Sequence, residues 1–387
     1  MIPLNEPVIN GKEIKFVKDT IQKNWISTFG NYKTKFEQSL AKITKSKFVV
    51  SVSSGTAALH LALRVLGVEK NQEVIVPSLT FIASINVIKY LSSDPVFMDV
   101  DSDHNLNIPK TIEFLKKKTI FKKNCTYNKK SKKKIKAIII AHMWGNALDF
   151  DKLRKVCKKK NIFIVEDAAE ALGTYYASGK SKSKHVGTIG DIGCLSFNGN
   201  KVITTGTGGA ILTKNKVFAK KILYLAEQAK DDSIRYIHND IGYNYRLPNL
   251  NAAFGCGQLS KLSQYITNRK KNYLYYKSFI NKIPGLKILS PEIYSKSNHW
   301  MNVLIIDQNL IKKSPYFFYK ILLSKGIQTR LVWKPNHLQK MYKNNEKYRI
   351  DLSEKIFNSC LCIPSSSNLN KSKLKIICDA IKEIAIN

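Results

Sequence analysis

From Phe48 to Phe197 the chain alternates short β-branched runs with helical stretches, and this alternation restricts it to one class of fold. The runs are Phe48 to Val52, Glu73 to Val76, Val96 to Val100, Ala137 to Ala141, Ile162 to Val165 and Ile192 to Phe197. One of them, AIIIA at 137–141, is apolar without a break, as expected of a strand covered on both faces. Between the runs lie helical segments such as Ala57 to Leu66, apolar nearly all round, and Asp149 to Lys158. Strands separated by helices predict an α/β fold with a mainly parallel sheet.

With 387 residues the chain has material for two domains. Residues 1–45 read as an arm followed by amphipathic helices broken at Gly30. After Gly242 the character changes. A long helical pattern runs from Asn249 to about Phe279, and the remainder of the chain reads as a small α+β domain. The boundary is set near residue 255, giving a large domain over 1–255 and a small C-terminal domain over 256–387.

The formal net charge is +36. A basic balance of this size admits a nucleic-acid binder. The lysines are scattered, however, and no helix-turn-helix, zinc-finger or RNP-like pattern accompanies them, so the charge reads as a solvated surface. The densest stretch, Lys116 to Lys136, reads either as a polyanion patch or as a solvated insertion ahead of the AIIIA strand. Seven cysteines, none in a C-x-x-C pair and without paired histidines, argue against zinc and for reduced thiols in the cytoplasm. The first residues lack the basic and apolar regions of a signal peptide, and no uncharged apolar run is long enough to span a bilayer. Neither a nucleic acid nor a membrane is expected as a partner.

Three short segments carry chemistry. Ser53-Ser54-Gly55-Thr56 turns a strand into a helix, where backbone N–H groups and the helix dipole suit a phosphate; a plain helix cap is the alternative. Asp167 follows an apolar strand directly, at the end where open α/β sheets bind ligands; a helix N-cap for Ala168-Ala169 is the alternative. Lys201 stands among Ser, Asn, Thr and Gly rather than other lysines, between the strand ending at Phe197 and the glycines 206–209. A lysine that loses pKa on burial can serve as nucleophile and base. With a carboxylate for a ring nitrogen and a phosphate cradle, this is the set a pyridoxal-phosphate enzyme requires. Gly179-Lys180-Ser181 lacks the preceding glycine of a P-loop, and His142, His185, His299 and His337 show no metal spacing.

Four blocks in this order resemble the DegT/DnrJ/StrS family of pyridoxal-phosphate sugar aminotransferases: Pro77 to Ser84, Glu166 to Glu170, Ser196 to Lys201, and Gly242 to Ala253. The resemblance covers nearly the whole chain. It implies the aspartate-aminotransferase-like α/β fold (fold type I), with a mainly parallel seven-stranded sheet in the large domain, and pyridoxal 5'-phosphate as cofactor. SFNGNK followed by TTGTGGAIL, and Ile363 to Ser366, look like the branch that aminates C4 of 4-keto-6-deoxy nucleotide sugars for legionaminic-acid-like and bacillosamine-like products.

By that resemblance Lys201 carries the cofactor and later moves the proton, and Asp167 holds the ring nitrogen. Phe81 stacks on the ring, while Gly55, Thr56 and Ser196 take the phosphate. Asn244 reaches the phosphate of the other subunit in a homodimer with shared active sites. Glu170 faces the phenolic oxygen at a position often Gln or His in the wider family. Trp25, Arg330, Trp333 and His337 are candidates for the substrate pocket. The implied reaction moves the amino group of L-glutamate to a UDP- or GDP-linked sugar, expected to carry a 2-acetamido group. Related 3-dehydratases have His in place of the lysine, so Lys201 favours amino transfer over dehydration. A basic regulatory protein on a retired enzyme fold is the remaining alternative.

Overall fold

The computed structural model describes residues 1–386. Its large sheet has seven central strands: β1 (Phe48–Val52), β2 (Glu73–Pro77), β3 (Asp94–Met98), β4 (Lys134–Ala141), β5 (Phe163–Asp167), β6 (Ile192–Ser196) and β7 (Gly209–Thr213). Their order is β1-β7-β6-β5-β4-β2-β3. From β6 to β3 every neighbour is parallel, and β7 alone runs antiparallel to the strands beside it. Two additions enlarge this frame. A short strand, Lys347–Tyr348, pairs in parallel with the outer edge of β3, and a hairpin, Thr119–Lys122 with Cys125–Asn128, pairs with the start of β4.

The apolar run in β4 is explained by its position. Ile138 and Ile140 face one apolar cluster with Phe114 and Leu153, while Ala137 and Ile139 face the other with Leu61 and Val87. Parallel strands covered by helices on both faces have no solvated side to hold polar residues.

The small domain is a four-stranded antiparallel sheet of Leu286–Ile288, Asn302–Ile306, Cys360–Ile363 and Arg330–Leu331. Its core, including Phe318, Leu322, Ile377 and Ile381, is shared with the helix Leu262–Ile280. The long helical pattern from Asn249 is in fact two helices, Asn249–Leu259 and Leu262–Ile280. Between them the Ser260 hydroxyl folds back on the Gly257 carbonyl at 2.7 Å, satisfying an end carbonyl where the helix stops.

Residue 255 falls inside the first of these helices, which packs against the N-terminal helices Lys12–Gln22 and Asn31–Thr44. A Cβ on Gly257 would stand 2.7 Å from the Glu13 backbone, so this packing needs glycine. The segment before those helices takes another course. Ile2 joins the small-domain core and exchanges backbone hydrogen bonds with Gly326 and Gln328, and Leu4 accepts one from Ser365. No described helix is long and apolar enough to cross a membrane.

Candidate active site

The parallel strands deliver their last residues to one edge of the sheet. There Ala141, Asp167 and Ser196, the ends of β4, β5 and β6, border a cavity of about 450 Å³. The small domain closes it with Trp300, Arg330 and Trp333. A ligand beyond the carboxyl ends of parallel strands, between two domains, is where α/β folds place their chemistry.

Asp167 is buried and held from two sides. The Ser84 hydroxyl donates to Oδ2 at 2.5 Å, and the Ala169 N–H donates to Oδ1 at 3.1 Å. Glu166, one residue earlier, points to the opposite face, as strand alternation requires. It accepts from the N–H groups of Gly187, Ile189 and Gly190 and from His142 Nε2. His142 Nδ1 in turn accepts from the Leu148 N–H at 3.2 Å. Burial raises the Glu166 carboxyl, but these donors outweigh it and leave the pKa lowered. The pair is structural, pinning the loop after β5.

Lys201 sits in a turn closed by its own N–H to the Asn198 carbonyl. The carbonyl of Asn200, the residue before it, accepts from Trp300 Nε1 at 2.7 Å and from Asn5 Nδ2 at 2.6 Å. The ammonium lies 4.2 Å above the Trp300 ring, and its nearest carboxylate oxygen, Glu170 Oε1, is 3.8 Å away, beyond hydrogen-bond reach. Burial pulls the amine below its ordinary pKa against the pull of Glu170 and Asp167. Glu170 accepts the Trp144 N–H at 2.8 Å on its other oxygen. Burial pushes its carboxyl up to about 7; Lys201 opposes this and Asp167 adds to it. Trp333 and Phe81, 5.7 Å apart, line one wall with Trp300, and the buried Trp144 stacks behind, between Trp300 and Trp333.

At the other end of the cavity the helix Gly55–Val65 begins. Ser54 caps it, accepting from the Ala57 N–H at 3.0 Å. A Cβ on Gly55 would stand 2.8 Å from the Ser196 Cβ, so glycine is what brings the helix start against the end of β6. Thr56 lines the same end.

The structure thus gathers Lys201, Asp167, Glu170, Gly55, Thr56, Ser196, Phe81, Arg330 and Trp333 around one cavity. Three other expected residues lie elsewhere. Asn244 is exposed, bridged to Glu227 beyond the cavity wall. Trp25 is half exposed and lines a second cavity with Asp19 and Arg246. His337 is buried, with Ser78 Oγ on Nδ1 at 2.5 Å and Glu354 on Nε2 at 3.0 Å. Sequence reasoning missed the tasks of Ser84 and Trp144. Ser84 lies inside a block quoted for its resemblance, but only the fold shows that it reaches a carboxylate 83 residues away.

The pocket fits pyridoxal phosphate: a buried amine free of hydrogen-bonded carboxylates among the described residues, a fixed carboxylate, an aromatic wall, and a capped helix start opposite. Fold and site define a pyridoxal-phosphate enzyme of fold type I. Comparison with known proteins narrows this. The profile of the DegT/DnrJ/EryC1/StrS aminotransferase family matches residues 7–382, and the chain belongs to that family, whose members depend on pyridoxal phosphate. The chain is 35% identical to the GDP-perosamine synthase of Escherichia coli O157:H7, over 99% of this chain and 98% of that protein. It is 33% identical to the GDP-perosamine synthase of Vibrio cholerae, over 99% and 98%. Among solved structures, Helicobacter pylori PseC, an aminotransferase involved in the biosynthesis of pseudoaminic acid, superposes with a TM-score of 0.89 at 22% identity, covering 99% of both chains.

Glu170 makes a prediction that needs no substrate. Its carboxyl binds a proton more tightly in the folded chain (about 7) than in an unfolded one (4.5). Between these values the folded state holds more protons than the unfolded state, so this residue costs stability as pH rises through the window. In cofactor-free protein, Glu170→Gln should therefore gain melting temperature relative to wild type as pH goes from 5 to 8. A difference that stays flat across that range would contradict it.

Proposed function

We propose that this enzyme transfers the amino group of L-glutamate to C4 of a 4-keto-6-deoxy nucleotide sugar. The sugar is GDP- or UDP-linked, with the 2-acetamido form among its substrates, and the product serves surface polysaccharide or nonulosonic (legionaminic-type) acid synthesis. The observation that carries the reading is Lys201, whose buried amine has no hydrogen-bonded carboxylate among the described residues and faces a 450 Å³ cavity. Full-length identity to two GDP-perosamine synthases supports the nucleotide-sugar class and favours the GDP-linked arm.

Pyridoxal phosphate, when bound, supplies the carrier for the amino group and the electron sink for the proton transfers. The chain's own groups do the rest. Asp167, fixed by Ser84 and Ala169, holds negative charge toward the ring nitrogen. Gly55, Thr56 and Ser196 would receive the phosphate at the helix start. Phe81 would cover the ring, and Glu170, its carboxyl raised by burial, would meet the phenolic oxygen. Lys201 Nζ, its basicity reduced by burial, takes up and returns the substrate proton. Arg330 and Trp333 at the mouth contact the sugar nucleotide. His337, with both nitrogens occupied, acts indirectly by holding the Ser78 loop that leads to Phe81.

Asn244 and Trp25 fit this scheme as residues given to a second copy. Asn244 is exposed, and near it in sequence Ile234 and Ile241 are 89% and 75% exposed, while Phe29 beside Trp25 is 68% exposed. A homodimer covering them would complete each site with the partner's Asn244. The enzyme works in the cytoplasm on this reading, in keeping with its seven unpaired thiols.

The test is a panel of 4-keto nucleotide sugars, GDP- and UDP-linked, with and without a 2-acetamido group, incubated with L-glutamate. Production of 2-oxoglutarate with at least one, and a 4-amino sugar by mass spectrometry, is expected. Loss of a hydroxyl without uptake of nitrogen would instead mark a dehydratase.

A further inference from the structure

The hairpin at the start of β4 has no part in the chemistry described so far. Eleven lysines stand among the 21 residues from Lys116 to Lys136, without one Asp or Glu. Lys116, Lys118, Lys122, Lys123, Lys130 and Lys132 are exposed. An edge strand needs only a lysine or two to repel another edge, and this segment far exceeds that. Ile120, 47% accessible, lies exposed on one face of the hairpin, and Phe121, 44% accessible, on the other. Ile120 pairs across the hairpin with Tyr127, and the Lys122 ammonium rests 5.2 Å above the Tyr127 ring. The two form the floor of a shallow cavity of about 630 Å³ rimmed by Lys122, Lys123, Lys129 and Lys132.

We propose that this hairpin is a docking surface for an anionic phospholipid membrane, used without any spanning helix. Apolar side chains ringed by lysines match an interface with an anionic charge layer above hydrocarbon. Each lysine near such a surface contributes about 1 kcal/mol, so a few suffice for reversible attachment. The segment contains no arginine, the residue that reads phosphate and base edges in a bidentate manner, which favours diffuse attraction over nucleic-acid recognition. The location also suits docking. The hairpin joins β4 at Lys134 and Ile135, whereas the catalytic cavity opens beyond Ala141 at the other end of that strand. About 23 Å of strand separates the two, so an attached enzyme keeps its cavity open.

The experiment is cosedimentation of the full-length holoenzyme with phosphatidylcholine vesicles, with and without phosphatidylglycerol, at low and high salt. Binding to the phosphatidylglycerol vesicles and release by salt are expected. Reversal of Lys122, Lys123, Lys130 and Lys132 to Glu should weaken binding by well over 100-fold, at about 5-fold or more per lysine. A control with the same net charge reverses Lys320, Lys371, Lys375 and Lys382, exposed on the small domain. It should retain much more of the binding. Ile120→Ser, which leaves the charge unchanged, should weaken it by about 10-fold. Equal loss in hairpin and control variants, indifference to Ile120→Ser, or tighter binding to duplex DNA than to the vesicles would overturn the proposal.

Discussion

Lys201→Ala is expected to abolish amino transfer, lowering the rate by about 10⁴-fold or more. The amine lies against one face of Trp300, and Glu170 is its closest carboxylate. Among the described residues no other lysine lines the cavity, so no neighbour can take over its proton transfers. The variant should remain folded, because the turn around position 201 is held by backbone atoms: the Asn198 carbonyl closes it and the Asn200 carbonyl anchors it. Two measurements check this. Rapid-quench assay of 2-oxoglutarate should show no turnover, and the visible absorbance of lysine-bound pyridoxal phosphate should be missing while the melting curve stays cooperative. Activity within tenfold of wild type would remove Lys201 from the mechanism.

Asp167→Asn is expected to cost about 10³-fold in kcat, the scale of losing one preorganised electrostatic partner in a water-excluded site. The substitution preserves shape. An amide oxygen can still accept from Ser84 or from the Ala169 N–H, so the pocket stays in place while the charge is lost. The loss should therefore appear in kcat far more than in KM for the sugar nucleotide. Asp167→Ala would also strand the buried Ser84 hydroxyl, adding a stability penalty of about 1–3 kcal/mol that Asn avoids. Comparing the two by thermal melting separates the electrostatic role from the packing one.

Much of this architecture could be read from the chain. The apolar runs were visible because parallel strands covered on both faces exclude polar residues, and Asp167 was visible because it ends such a run. The small-domain strands were harder, being two to five residues long and carrying little periodic signal. The break at Ser260 was hidden because the helical pattern resumes directly beyond it, and the Ser260 hydroxyl satisfies an end carbonyl of the first helix only once that helix has stopped. The course of residues 1–6 was hidden for another reason: Ile2 and Leu4 are ordinary apolar residues whose partners lie more than 300 residues away. In the site, Lys201 and the Ser54-Gly55-Thr56 turn stood out through local composition. Ser84 and Trp144 did not, because their tasks, donating to Asp167 and to Glu170, exist only once distant strands have been brought together. Trp25 and His337 were singled out by residue type, and in the folded chain one lines a separate cavity and the other is spent on Ser78 and Glu354.

The path of residues 1–6 also affects how the cleft behaves. Asn5 donates to the Asn200 carbonyl and accepts from Arg269 on the first long helix of the small domain. This one side chain works as a buckle between the lysine-bearing turn and the small domain. Trimming these first residues, or pulling on them with a fused partner, would loosen the catalytic turn from almost 200 residues away in sequence, so a stretch of chain far from Lys201 in sequence is part of the enzyme's working parts.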